Sequence, residues 1–245
     1  MLPKIKTAPK SSLSDYTVLL YGPSKAGKTS FCAESEDTLF LATEPGLNAL
    51  EAYQINITSW EEMTNACAEI AAGGHKFKTI VVDTVDNAYK MCSDYINGKS
   101  KVDHESDLAY GKGYALINNE FQRVLNKLAF LPYGLILISH SQVKELETRT
   151  GKVSRIVPTL PDKARKLVVG LVDIILFCDL EQQKNGDGTQ TTARVLRTKP
   201  NLHYDAGDRT GRLPDVMPMS YPAFVAAFNQ AAPKAPQSVK TASEK

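Results

Sequence analysis

No apolar run in this chain approaches the roughly 20 residues that cross a bilayer, so no membrane-spanning segment is expected. Cysteine is scarce. The four present (Cys32, Cys67, Cys92 and Cys178) are far apart and form no C-x-x-C pair, which indicates reduced thiols and neither a disulfide framework nor a zinc site. The N-terminus, MLPKIKTAPKSSLSDY, has lysines with no apolar stretch behind them and does not read as a secretory signal. Neither sign of charge dominates, the net being +2 over 245 residues. The balance is uneven, however: residues 1–142 carry 13 Lys and Arg against 16 Asp and Glu, and residues 143–245 carry 16 against 11. A basic second half is compatible with one face meeting a polyanion. With 42% apolar and 23% charged residues, the composition excludes a mainly disordered or fibrous chain and allows a substantial core.

Short apolar runs alternate with helical patterns. TVLLYG (17–22), TLFLAT (38–43), TIVVD (79–83), GLILIS (134–139) and DIILFC (173–178) are near-continuous and apolar, as strands buried on both faces are. Helices are predicted over 28–35, 60–72, 85–96, 113–130 and 162–171. Their alternation with the strands indicates an α/β doubly wound, mostly parallel sheet. Residues 98–112 read as a long polar loop. Residues 143–157 alternate around Thr150-Gly151 as a β-hairpin, and 191–198 with its predecessor reads as an antiparallel edge. Residues 1–14 and 231–245 lack periodicity and are expected to be unstructured, leaving a core of 15–230.

The chemistry-bearing signal is GPSKAGKT, Gly22 to Thr29, which fits G-x-x-x-x-G-K-[ST] between a predicted strand and a predicted helix. Gly22 and Gly27 allow a tight turn and close approach to phosphate. The backbone of Gly22, Pro23, Ser24, Lys25, Ala26, Gly27, Lys28, Thr29 and Ser30 would then cradle phosphates of ATP. Lys28 would reach the β- and γ-phosphates, and the Thr29 hydroxyl would ligate Mg²⁺. Asp83, ending TIVVD, places a carboxylate at the edge of a buried strand beside that loop, where it can hold the same Mg²⁺. Asp86 competes for this role but falls past the strand, where stabilisation at a helix start explains it equally well.

Glu44 in ATEPG directly follows the second strand, and the order phosphate loop, Glu44, Asp83, Ser139-His140-Ser141-Gln142 resembles the RecA/RadA class. The motifs TEPG, VVDT, SHSQ-x-K and GDRTG are most similar to the short phage-encoded RecA-like single-strand annealing proteins, over about residues 16–228. That resemblance implies a RecA-like core in which Glu44 polarises the attacking water and His140 senses the γ-phosphate. It implies a cytoplasmic ATPase of a phage-infected bacterial cell, assembled as a filament or ring and acting on single-stranded DNA, with a single-strand DNA-binding protein as a further candidate partner. The rival readings are a ring-forming helicase-type motor and a nucleotide-switched scaffold that scarcely hydrolyses.

The resemblance also places DNA-binding loops after the central strands, where Lys144, Arg149, Lys152 and Arg155 lie in a segment (143–166) without aromatic residues. Binding there would be largely sequence-independent; the same residues also suit a solvated charged hairpin. Lys199 and Arg209 are candidates for a cation supplied to a neighbouring subunit's site. Arg209 equally fits an anchor for the Gly207–Gly211 turn through Asp205 or Asp208. Phe224-Val225-Ala226-Ala227 matches the F-x-x-A docking pattern of the RadA group, and also one face of an ordinary amphipathic helix.

Overall fold

Alternate residues of the buried strands divide between two cores, one on each face of a single sheet. The structure, a computed structural model, describes residues 2, 4–35, 37–148, 151–184 and 190–230. β1 (Thr17–Gly22) leads through a loop into α1 (Lys28–Ala33), followed by β2 (Thr38–Ala42) and β3 (Tyr53–Asn56). α2 (Trp60–Ala72), β4 (Thr79–Asp83), α3 (Val85–Ser100) and α4 (Lys112–Ala129) come next. β5 (Gly134–Thr148) then pairs beyond the sheet with β6 (Gly151–Pro158), and the chain closes through α5 (Asp162–Leu171), β7 (Ile174–Lys184), β8 (Gln190–Arg197), β9 (Gly207–Asp208), β10 (Val216–Pro218) and α6 (Tyr221–Gln230).

Among the described residues the sheet has ten strands in the order β10-β8-β7-β1-β5-β4-β2-β3, with β6 added to β5 and β9 to β7. From β7 to β3 all neighbours are parallel, and β8 and β10 complete an antiparallel edge. Leu19, Leu41, Val82 and Leu137 point to one face, where they meet Trp60 of α2, Val85 of α3, Phe121 of α4 and Val168 of α5. Val18, Leu20, Phe40, Val81 and Ile138 point to the other, against Phe31 of α1 and Phe224 and Phe228 of α6. Two covered faces explain why the central strands are apolar throughout instead of alternating with polar residues. The doubly wound α/β fold is therefore as the residue pattern indicates, and it sets the carboxyl ends of β1, β2 and β4 level with Ser139 and His140 in the middle of β5, along one crevice.

Several local expectations need correction. β3 was not anticipated: its four residues are polar or half-buried on an edge and carry little periodic signal. The polar loop is shorter than 98–112, because α3 runs through Ser100 and α4 begins at Lys112, with two short 3-10 turns between. The fourth apolar run does not stop at Ser139 but continues as one 15-residue strand into the hairpin. The N-terminal segment also acquires contacts: Arg212 donates to the carbonyls of Lys10 and Ser11 at 3.3 and 3.2 Å, holding the chain before β1. Residues 231–245 lie outside the described residues.

The F-x-x-A segment faces inward. Phe224 is fully buried, with its ring 6.0 Å from that of Phe31 on α1. Phe224→Ala is therefore expected to lower the unfolding free energy by about 3–5 kcal/mol, read from the denaturant midpoint, with the assembly state unaltered. Unchanged stability alongside a lost oligomer would instead return the residue to a docking role.

Candidate nucleotide site

The loop after β1 is shaped by what lies behind it. A Cβ on Gly22 would sit 2.8 Å from both the Cβ and the carbonyl oxygen of Cys178 on β7, so only glycine fits. Gly27 has φ +98°, a conformation that side chains other than hydrogen disfavour. Between them Lys25 also adopts a positive φ, at 62°. Lys28 is buried, and its ammonium donates to the carbonyls of Gly22 and Pro23 at 3.0 and 2.7 Å. Burial pushes its pKa down, while Cys178, Asp83, Glu44 and Asp86 act in the opposite sense.

Next to it the Thr29 hydroxyl donates to Asp83 Oδ2 at 2.7 Å. Asp83 is 2% exposed, and desolvation raises its carboxyl above the ordinary range despite that hydrogen bond. Gly46 lies over this pair; a Cβ there would be 3.9 Å from each of the two oxygens. Two hard oxygen ligands this close fit Mg²⁺, which keeps several waters and completes its shell with substrate phosphates.

β2 and β4 are laced together just beyond their ends. Thr43 Oγ1 donates to the Thr84 carbonyl at 2.9 Å and accepts from the Thr84 amide at 2.8 Å. This brings Glu44 over the crevice, with its side chain 30% exposed. Asn87 Nδ2, on the first turn of α3, donates to Glu44 Oε2 at 3.2 Å, and His140 Nε2 lies 3.5 Å from Oε1. The other His140 ring nitrogen is 3.3 Å from Ser24 Oγ in the phosphate loop. His140 thus spans Glu44 and the loop. Its own backbone N–H donates to Asp86 Oδ2 at 2.8 Å, and Ser139 Oγ donates to Asp86 Oδ1 at 2.8 Å. Asp86 has the work of fixing β5 at Ser139 and His140, where the strand passes the crevice, and burial raises its carboxyl.

Lys28, Thr29, Glu44, Asp83 and His140 are thereby brought into one crevice by the ends of β1, β2 and β4 and the middle of β5. Sequence reasoning overlooked Asn87; its spacing, four residues after Asp83 on the helix that follows, was the available signal. A cavity of about 440 Å³ lies near the end of α1 against Asp37 and Tyr53 and has no part in this arrangement.

Each remaining candidate cation among the described residues lies near a carboxylate. Arg155, expected to be free for DNA, lies 2.6 Å from Asp205 Oδ1, and Arg165 lies 3.3 Å from the same carboxylate, so Arg155 ties the hairpin to the core. Lys144 pairs with Asp162, and Lys152 is 3.8 Å from Glu145. Arg149 lies outside the described residues. Lys199 is 3.9 Å from Asp208, and Arg209 is 3.6 Å from Asp173 and donates to the Gly170 carbonyl at 2.9 Å. Asp173 accepts from the Thr17 amide, so both cations sit at the amino end of the sheet, away from their own phosphate loop. Asp173 takes the anchoring role expected of Asp205 or Asp208, because the β9–β7 pairing brings its carboxylate under Arg209.

The family described as AAA domain matches residues 14–210. The "SPbeta prophage-derived uncharacterized protein YorG" of Bacillus subtilis (strain 168) is 26% identical over an alignment of 181 residues that covers 71% of this chain and 54% of that protein. The chain thus spans about half the length of that relative.

Proposed function

Because the chain belongs to the AAA domain family, matched across its crevice-forming core, we propose that it is a Mg²⁺-dependent ATPase that acts on single-stranded DNA in phage recombination. The observation that carries the nucleotide half is the convergence of Lys28, the Thr29–Asp83 pair and Glu44 on one crevice. Mg²⁺ would neutralise charge on the β- and γ-phosphates and hold them in line. Lys28 and the loop amides bind phosphate oxygens, Thr29 and Asp83 hold the cation, and Glu44 accepts the proton of the attacking water. Asn87 and His140 orient that carboxylate, and His140 connects it to the loop through Ser24.

The DNA half is supported by continuity. β5 carries His140 at the crevice and runs without a break into the hairpin that projects from the sheet, so a strand bound along the hairpin has a direct mechanical route to the site. Lys152 and Glu145 are 67% and 70% exposed, and an ion pair so open to water offers little resistance to a phosphate. The relative's prophage origin supports the phage setting, in the cytoplasm of an infected cell. Self-assembly of the chain and a single-strand DNA-binding protein as partner complete the proposal.

ATP turnover with and without single-stranded DNA tests both halves. We expect hydrolysis to rise on adding DNA. Replacing Lys144 and Lys152 together with Ala should reduce the log-log salt slope of DNA binding by about 0.7 per lost contact, with DNA-free turnover retained. Hydrolysis indifferent to DNA would sink the DNA half. Nucleotide binding without turnover would point to a switched scaffold, and directional unwinding to a motor.

A further inference from the structure

β8 runs antiparallel beside β7, one strand removed from β1, and carries an arginine whose side chain reaches the phosphate loop. Arg194 is paired in register with Leu180 of β7, and its carbonyl accepts from the Met219 amide at 3.1 Å. Val195 and Leu196 beside it are buried, so the backbone that presents the side chain is anchored on the core. Its guanidinium lies against Gly27: a Cβ built on that glycine would be 2.9 Å from Nη1 and 3.7 Å from Cζ.

The other arginines among the described residues are all engaged. Arg123 pairs with Glu120, Arg155 and Arg165 with Asp205, Arg197 with Asp179 and Arg209 with Asp173, while Arg212 donates to backbone carbonyls. No carboxylate among the described residues pairs with Arg194, and the residue is exposed. An uncommitted guanidinium is thus packed on the glycine that immediately precedes Lys28. Two cations flanking one loop repel each other unless an anion lies between them, and a guanidinium fork matches phosphate oxygens in geometry as well as charge.

We propose that Arg194 is a second cation of the nucleotide site, supplied by the same chain, which contacts phosphate oxygens of the bound nucleotide. The proposal rests on the nucleotide reading of the crevice and adds a residue that the loop motif does not contain. Phosphate is favoured over the base because the guanidinium packs on the part of the loop whose backbone would cradle phosphates. The contact would be indifferent to which base the nucleotide carries.

The test is calorimetric titration of the parent chain, Arg194→Ala, Arg194→Lys and Lys28→Ala with Mg-ATP and with inorganic tripolyphosphate. Arg194→Ala should weaken both by roughly 10–100-fold, the range for one charge-assisted contact, and Arg194→Lys should recover part of the loss. Thermal midpoints of the Arg194 variants should match the parent, because the side chain is exposed and unpaired. Tripolyphosphate affinity retained in Arg194→Ala, beside a loss in Lys28→Ala, overturns the Arg194 assignment alone. A loss for ATP with none for tripolyphosphate would make the contact one with the base or ribose and overturns it also. Equal affinities in the parent and Lys28→Ala would remove the nucleotide reading, and the assignment with it.

Discussion

Lys28→Ala is expected to lose nucleotide binding by about 10² or more and to bring ATP turnover to background. The ammonium is buried against the loop it serves and held by the Gly22 and Pro23 carbonyls, a position that the exposed Lys25 of the same loop does not share. Desolvation lowers its pKa, which makes the charged form strained in isolation and rewards a phosphate that arrives beside it. Truncation removes that charge from a site that also contains Asp83, Glu44 and Asp86, leaving three carboxylates with less to oppose them when a polyanion enters. The two carbonyls lose their donor as well, so a modest fall in stability should accompany the functional loss. Comparing the variant's denaturant midpoint with its nucleotide affinity separates the two effects. Near-parental turnover in a folded Lys28→Ala protein would dismiss the assignment of the loop.

What could be seen in the sequence was local. The phosphate loop is a contiguous string whose residue types and spacing are complete within eight residues, even though the neighbour that Gly22 must clear, Cys178, lies on β7, and Asp83 follows four apolar positions that declare a buried strand. Both cores could be anticipated for the same reason, since near-continuous apolar strands imply covered faces. The misread parts depend on partners far along the chain. Arg155 looked available because Asp205, 50 residues on, is brought beneath it only when β6 meets the segment containing Tyr204. Lys144 likewise meets Asp162 across the turn into α5. Charge counting along a segment registers cations and cannot see which carboxylates the fold delivers to them. Arg194 shows the converse: nothing in RVLRT distinguishes it from Arg197, yet one side chain lies on Gly27 and the other on Asp179. β3 was invisible because a short, polar edge strand owes its existence to pairing with β2, not to its own pattern.

Glu44→Gln separates binding from chemistry. The substitution preserves length and leaves an amide oxygen that can still accept from Asn87, so the loop after β2 should keep its place over the Thr29–Asp83 pair. What is lost is the proton acceptor and the charge that His140 faces at 3.5 Å. Mg-ATP affinity should therefore stay within about threefold of the parent, since neither Lys28 nor Asp83 is altered, while turnover falls by roughly 10²–10⁴, the range for a general base. Removing one carboxylate near Asp83 also lessens the repulsion that, after burial, helps to raise the Asp83 pKa, so cation binding should not suffer. Asp86→Asn provides the contrast. Asp86 accepts from Ser139 Oγ and the His140 amide, so its loss should loosen β5 where it passes the crevice and lower stability before it slows chemistry. A filter-binding measurement of ATP affinity beside a steady-state phosphate-release assay reads both variants. If Glu44→Gln turns over at the parental rate, its carboxylate only holds the crevice in shape, and the proton must leave the attacking water by another route, with His140 the next residue to replace.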